Sequence, residues 1–371
     1  MNYATSGTNA PARHRIGSLD GLRGIFAVTV MVGHFALFQS HFASDLFKNV
    51  ALCVQFFFIL SGFALSYGFM ERMRSGTVPF RSFAWQRLVR LYPMHIVSMA
   101  AAWFFMPVLM QTVSPSGTLA TDTILNLFLL QCVGIVQNWS WNIASWSIST
   151  EFWVGLVILP IAFKMLSARM SFALSIAGYA LLLFTLGTVR TQYNHVVPGL
   201  SSAVVSTASG LLMGTALFRW AHSLAFRLGL GASSRVVVGV MEASMLAAVI
   251  YIASLAVHGN IEFFCIAMMP FIIFSVATSQ SWFASLLGSK PLLWLGHVSY
   301  SLYLLHIPIL GALTKFGLND IDSMAVRFAI FAAAVAGCSQ LAYRFIEMPL
   351  YARWRGLFQP SRAKARAAEA A

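Results

Sequence analysis

Ten apolar runs of bilayer-crossing length dominate the chain, at about 19–40, 50–70, 91–110, 148–166, 170–188, 199–218, 236–257, 261–281, 297–316 and 323–345. Each carries ~20 residues, enough for a helix to cross ~30 Å of hydrocarbon. The runs are continuous rather than alternating, which excludes a β-barrel. Composition agrees, because only 9% of the 371 residues are charged where a soluble domain carries about 25%. Nor can 31 Phe and 10 Trp be left in water by a disordered chain. The expected fold is an all-α polytopic membrane protein with about ten transmembrane helices. An eleventh run, 122–136, is too short to span and reads as a re-entrant or interfacial segment.

The few charges are lopsided, with 24 Lys+Arg against 11 Asp+Glu. A basic excess can serve nucleic acid, but in a membrane protein its first use is to orient the spans. With the N-terminus inside and 122–136 not crossing, all cations but Lys48, Arg190, Lys315 and Arg327 fall on the cytoplasmic side. A full crossing at 122–136 would put the basic loops at 164–169 and 219–235 outside. The positive-inside rule thus favours ten crossings with both termini cytoplasmic, and no nucleic-acid partner.

The expected organisation is a cytoplasmic tail over 1–18, one membrane domain over 19–350 and a basic cytoplasmic tail over 351–371. The N-terminus is polar and reads as a tail, not as a signal peptide. Cys53, Cys132, Cys265 and Cys338 are isolated, and no H-x-x-x-H or carboxylate cluster stands out, so no metal site and no disulfide framework are expected.

Polar groups inside spans are costly and so mark candidate sites. Arg23 and His34 are eleven residues apart, about three helical turns, which sets them on one face with the imidazole ~16 Å deeper. The plainer alternative is a snorkelling arginine and a histidine satisfied between helices. Arg87 and Arg90, in QRLVRLYP, share a helical face and can grip a phosphate, or simply anchor topology. Pro93 suits the first turn of the next helix, with the arginines just before it. In NWSWNIASWSISTEFW, Trp139, Trp141, Trp146 and Trp153 suit an interfacial belt or a sugar-stacking platform. Glu151, near Ser147 and Ser149, has no basic neighbour in sequence and is either paired across helices or an acceptor for a hydroxyl. Ser299, Tyr303 and His306 fall on one helical face. Glu242 reads as an interhelix pair rather than as a catalytic group.

Six segments in order extend over nearly the whole chain: LDGLRGIFAVTVMVGHF with Arg23 and His34, FFFILSGF at 56–63, QRLVRLYP at 86–93, WSISTEFW at 146–153, LGHVSYSLYLLHIP at 295–308 and YRFIEMPL at 343–350. Together they resemble the family-3 integral-membrane acyltransferases, which include O-antigen acetylases and Nod-factor acetyltransferases. The resemblance implies a multi-pass protein of the bacterial cytoplasmic (inner) membrane. It implies transfer of an acyl group, acetyl or succinyl, from cytoplasmic acyl-coenzyme A to a hydroxyl of a cell-surface or periplasmic carbohydrate. Acyl-coenzyme A is then a co-substrate, with no resident cofactor. The acceptor is left open, since lipopolysaccharide, exopolysaccharide, a periplasmic glucan and a lipid-linked oligosaccharide all fit, and glycan-biosynthesis proteins are possible partners. Arg23 and His34 carry over as the paired motif and Arg87 and Arg90 as the second basic motif. Glu151, Trp146, Ser147, Ser149, Ser299, Tyr303 and His306 carry over without a fixed role. No fused esterase-like domain is evident in the sequence, which suggests direct transfer or hand-over to a separate partner.

The chemistry fits. Acyl transfer to a sugar hydroxyl needs a base and donors for an oxyanion, and an uncharged imidazole can accept a proton near neutral pH. His34 is therefore the expected general base, ahead of a covalent acyl-His34 intermediate. The competing class is a proton-coupled transporter or exporter, because buried His and Glu also build proton relays. Such a relay does not need arginines in register with His34.

Overall fold

In a computed structural model, the structure describes residues 17–39, 49–109, 119–135, 140–189, 194–224, 234–255, 259–355 and 357. Trp139, Lys48, Arg190 and most of both predicted tails lie outside the described residues. The chain folds as a polytopic helical membrane protein. Its helices are α1 (Gly17–Gln39), α2 (Ala51–Arg74), α3 (Phe80–Leu109), α4 (Leu119–Leu127), α5 (Trp146–Met165), α6 (Ala168–Leu186), α7 (Ser202–Leu224), α8 (Ser234–Ser254), α9 (Asn260–Thr278), α10 (Trp282–Leu287), α11 (Lys290–Lys315), α12 (Met324–Ala342) and α13 (Met348–Trp354). A small hairpin pairs His195–Val197 with Leu200–Ser201 ahead of α7.

Among the described residues, nine helices are long and apolar enough to cross a membrane: α1, α2, α3, α5, α6, α8, α9, α11 and the α12–α13 unit. Helix α7 is not one of them, although it has 23 residues. Its Ser, Thr and Gly content lowers its hydropathy, and it packs against α2, α5, α6 and α9. A helix wrapped by other helices meets protein rather than lipid, and there small residues favour close contact. Gly214 shows the closeness: a Cβ there would lie 2.0 Å from the Ile59 carbonyl oxygen on α2. Helices α1 and α11 meet similarly, with a Cβ on Gly24 falling 2.8 Å from the Gly296 nitrogen.

Two boundaries differ from the sequence reading. Helix α3 begins at Phe80, so Arg87, Arg90 and Pro93 all lie inside it and the arginines do not precede it. They are tolerated there because acidic partners from other helices neutralise them, as described below. Helix α11 begins at Lys290, behind Ser289 and with Pro291 in its first turn, where proline's fixed φ suits helix initiation.

Among the described residues between α3 and α5 there is only a short helix. At nine residues, α4 is only ~13 Å long; turns follow it up to residue 135, and a short 3₁₀ turn, Ile143–Ser145, opens α5. Irregular backbone survives beside a membrane core only where protein satisfies its polar groups, and side chains do so here. Tyr92 Oη donates to Leu127 O (2.9 Å), Trp153 Nε1 to Phe128 O (3.1 Å) and Ser149 Oγ to Leu129 O (2.6 Å). Ser149 Oγ also accepts the Cys132 N–H, and Asn142 Nδ2 donates to Leu304 O. The Trp belt splits accordingly. Trp141 stacks on Trp103, Trp153 is exposed, and Trp146 is buried edge-on against Phe58.

The last membrane helix is interrupted. Between α12 and α13 the residues Tyr343–Glu347 take π-helical geometry, a form that recurs at functional positions. Most of this helix pair is exposed, yet Glu347 is buried at its inner face.

Candidate functional site

Helices α1, α2, α3, α5, α11 and α13 enclose a cavity of about 280 Å³. On α2 its wall runs from Phe57 to Phe69, ~18 Å of helix. One end, at Phe69, Gln86 and Tyr351, is formed by partly exposed side chains. The other end is closed by Phe57, Ser147 and Tyr303. There the Phe57 and Tyr303 rings meet edge to face at 5.9 Å, and the Ser147 and Tyr303 hydroxyls are 3.0 Å apart.

Two arginines of the lining, Arg87 and Arg90, are held in ion pairs. Arg87 Nη2 donates to Glu151 Oε1 at 2.6 Å, and Ser61 Oγ donates to the same oxygen at 2.9 Å. Arg90 pairs with Glu347, whose other oxygen accepts from Ser301 Oγ at 2.7 Å. The Arg90 guanidinium also lies over the Tyr300 ring, 5.4 Å from its centroid, while Tyr300 Oη donates to Leu91 O. Arg23 adds a third cation to the lining, 3.8 Å from Asp20. Buried charges persist only when paired; the Arg87–Glu151 and Arg90–Glu347 pairs join helices distant in sequence, whereas Arg23 and Asp20 lie one turn apart on α1.

His34 and His306 stand just past the closed end. His306 is three residues beyond Tyr303 on α11, and their rings are 6.0 Å apart. His306 Nε2 lies 3.0 Å from His34 Nδ1, and His306 Nδ1 lies 3.2 Å from Leu302 O. A carbonyl only accepts, so His306 carries its proton on Nδ1 and its Nε2 is an acceptor. His34 must then donate from Nδ1, which leaves its own Nε2 with a lone pair. The neutral pair is thus oriented to present one basic nitrogen, the arrangement an acid–base catalyst requires.

Of the residues singled out by sequence, Arg23, Arg87, Arg90, Glu151, Ser147, Ser299 and Tyr303 come together on this cavity. His34 and His306 form the adjoining pair. Trp146 and Ser149 do not reach the cavity: the first packs in the core and the second ties down the turn after α4. Of the two residues expected on one face of α1, Arg23 lines the cavity, whereas His34 lies past the end that Phe57 and Tyr303 close. Glu242 accepts from Ser275 (2.6 Å), Ser279 (2.7 Å) and Ser281 well away from the site, a hydroxyl cage and not a pairing with a cation. Sequence reasoning missed Glu347 and Phe57, although both lie in recognised segments. The signal was there for Glu347, the one acid in YRFIEMPL. Among the described residues no group of three or more His, Cys, Asp and Glu is arranged to hold a metal ion.

Residues 16–343 match a family model described as an acyltransferase domain. The protein named "Acyltransferase MdmB" of Streptomyces mycarofaciens is 30% identical over 155 residues, covering 37% of this chain and 37% of that protein. The one named "Putative O-acetyltransferase SACOL0978" of Staphylococcus aureus (strain COL) is 24% identical over 385 residues, covering 94% of this chain and 59% of its own length. "Protein 2 in picA locus" of Rhizobium radiobacter is 35% identical over 88 residues, 23% of this chain and 44% of that one. The chain therefore spans less than two thirds of the length of each of these relatives. No solved structure matches it. With the family match running from the start of α1 to the end of α12, the chain belongs to the acyltransferase 3 family.

Proposed function

We propose that this protein is an O-acyltransferase of the bacterial inner membrane, moving an acyl group from cytoplasmic acyl-coenzyme A to a hydroxyl of a cell-surface or periplasmic carbohydrate. The observation that carries the reading is the blind, cation-lined cavity ending one aromatic ring from an oriented histidine pair. Ten crossings, with α7 as the tenth, and cytoplasmic termini follow from the distribution of Lys and Arg. On that orientation the cavity opens inward, at the end of α2 that carries Arg72 and Arg74.

The donor enters along the cationic wall of Arg23, Arg87 and Arg90, its phosphates toward the open end and its pantetheine arm running down toward Tyr303. The acceptor hydroxyl arrives on the histidine side, and the Ser147–Tyr303 contact opens to join the two compartments. His34 Nε2 takes the hydroxyl proton as the oxygen attacks the thioester carbonyl carbon. The tetrahedral oxyanion collapses, the C–S bond breaks, and the coenzyme A thiolate recovers the proton from His34. Arg87 and Arg90, held by Glu151 and Glu347, supply the fixed positive charge of the cavity toward the developing oxyanion. His306 acts through His34 as a positioning residue. Acetyl is favoured over succinyl as the transferred group, and the name of the Staphylococcus relative, an O-acetyltransferase, accords with that.

The test is a comparison of surface glycans from wild-type and deletion strains by mass spectrometry. The reading predicts that the deletion removes one acyl increment from a defined sugar, restored by the wild-type gene and not by His34→Ala. Identical glycans in both strains would refute it.

A further inference from the structure

Glu347, Tyr351 and Arg355 are spaced four residues apart, and the backbone is helical from the first to the last. They therefore form a stripe along one face of α13, with successive members ~6 Å apart. Glu347 lies inside, bound to Arg90 and Ser301, and Tyr351 lines the open end of the cavity with Phe69 and Gln86. Arg355 is exposed, and its guanidinium lies over the Tyr351 ring, 5.8 Å from the centroid. Among the described residues no carboxylate pairs with Arg355, whereas Arg87 and Arg90 are each bound to one. Trp85 Nε1 donates to Trp354 O at 2.7 Å, which ties this end of α13 to α3.

We propose that Tyr351 and Arg355 form an outer subsite that holds the phosphates of the donor's nucleotide end. The inference rests on the acyl-transfer reading above and adds where the donor's phosphates are recognised. Length decides the place. From sulfur to the first phosphorus the pantetheine arm has about a dozen bonds, and at the ~1.2 Å per bond of an extended chain it reaches ~15 Å. The α2 wall of the cavity, from Phe57 to Phe69, is ~18 Å long. A thioester delivered to the closed end at Tyr303, beside the histidine pair, thus leaves its phosphates level with Phe69 and Tyr351. The Arg87–Glu151 pair meets α2 at Ser61, four residues from Phe57, only ~6 Å from the closed end. It faces the arm and not the phosphates. At the mouth, Arg355 offers a planar fork of donors that matches phosphate oxygens. Its contact with Tyr351 uses the guanidinium face and leaves the N–H edge to the ligand.

The experiment compares acetyl-coenzyme A with acetyl-pantetheine, which carries the same thioester and arm without phosphates. Thiol release is measured with the full-length protein in phosphatidylcholine nanodiscs and a glycan acceptor, for wild type, Arg355→Gln, Arg355→Lys and Arg353→Gln. Arg353 is two residues from both Tyr351 and Arg355 and falls on the opposite side of α13, so its variant controls for lost surface charge. Arg355→Gln should raise the KM for acetyl-coenzyme A roughly tenfold, the scale of a hydrogen bond to a charged group. Its kcat and its KM for acetyl-pantetheine should stay at wild-type values. Arg355→Lys, which keeps the charge without the fork, should fall between. Arg353→Gln should change neither KM. If acetyl-pantetheine turns over too slowly to read, inhibition by adenosine 3′,5′-bisphosphate carries the test, and Arg355→Gln should weaken it by a similar factor. Equal shifts for both donors, as a lipid-headgroup anchor or a structural residue gives, would overturn the inference while leaving acyl transfer intact. So would an unchanged KM for acetyl-coenzyme A, unchanged inhibition, or an equal shift in Arg353→Gln. Absence of thiol release by folded wild type with either donor would overturn acyl transfer itself and the inference with it.

Discussion

His306 Nε2 lies 3.0 Å from His34 Nδ1, joining two imidazoles that are 272 residues apart in sequence. Because His306 also meets the Leu302 carbonyl through Nδ1, the pair has one consistent neutral arrangement. His34 Nε2 is the nitrogen left to accept a proton. His306→Leu should therefore lower kcat by roughly 100-fold, the scale of general-base assistance, while donor KM stays near wild type. His306→Gln, which can still accept from His34 Nδ1, should recover a large part of that loss. Steady-state kinetics on the two variants checks this. Equal losses in both would show that His306 does not act through its acceptor.

The Arg90–Glu347 pair fastens the π-helical turn to α3, with Ser301 on the second carboxylate oxygen. Glu347→Ala should cost roughly 2–3 kcal/mol, less than a fully buried pair because Arg90 keeps part of its side chain in contact with solvent. Adding Arg90→Ala should cost little more, since the partner charge is already stranded. Thermal unfolding of the single and double variants in detergent measures the coupling. Additive losses would mean that the pair contributes no interaction energy.

Close helix packing gives a sharper contrast. Gly214→Ala places a Cβ 2.0 Å from the Ile59 carbonyl, whereas Gly68→Ala meets nothing within 4 Å. The first should destabilise the α2–α7 contact by about 1–3 kcal/mol, the usual range for overpacking. The second should be neutral or stabilising, because alanine is the better helix former. Melting temperatures of the two purified variants decide between these outcomes.

Much of the fold was legible because lipid imposes a simple rule, and among the described residues nine of the apolar runs appear as helices suited to crossing. Helix α7 escapes that rule, since its neighbours are helices rather than lipid. The start of α3 was misjudged because arginines and a proline resemble a loop until Glu151 and Glu347 are seen to neutralise them. Those partners lie 64 and 257 residues away, and no local pattern carries that information. The site residues were legible as types and spacings, but their grouping was not. Ser147 faces the cavity while Ser149, two residues on, ties down a turn. Nor could a helical projection of α1 show that Arg23 would line the cavity while His34 lies past the end that Phe57 and Tyr303 close.

Acyl transfer through His34 is the central claim, and one measurement bears on it most directly. Purified full-length protein in nanodiscs is given acetyl-coenzyme A and a de-O-acetylated surface oligosaccharide, and both thiol release and acceptor mass are followed. The account predicts thiol release that depends on the acceptor, with one acetyl gained per thiol. His34→Ala should abolish turnover while donor binding by calorimetry persists. Unaltered turnover in His34→Ala, or a wild-type protein that neither binds acetyl-coenzyme A nor modifies the acceptor, would contradict it.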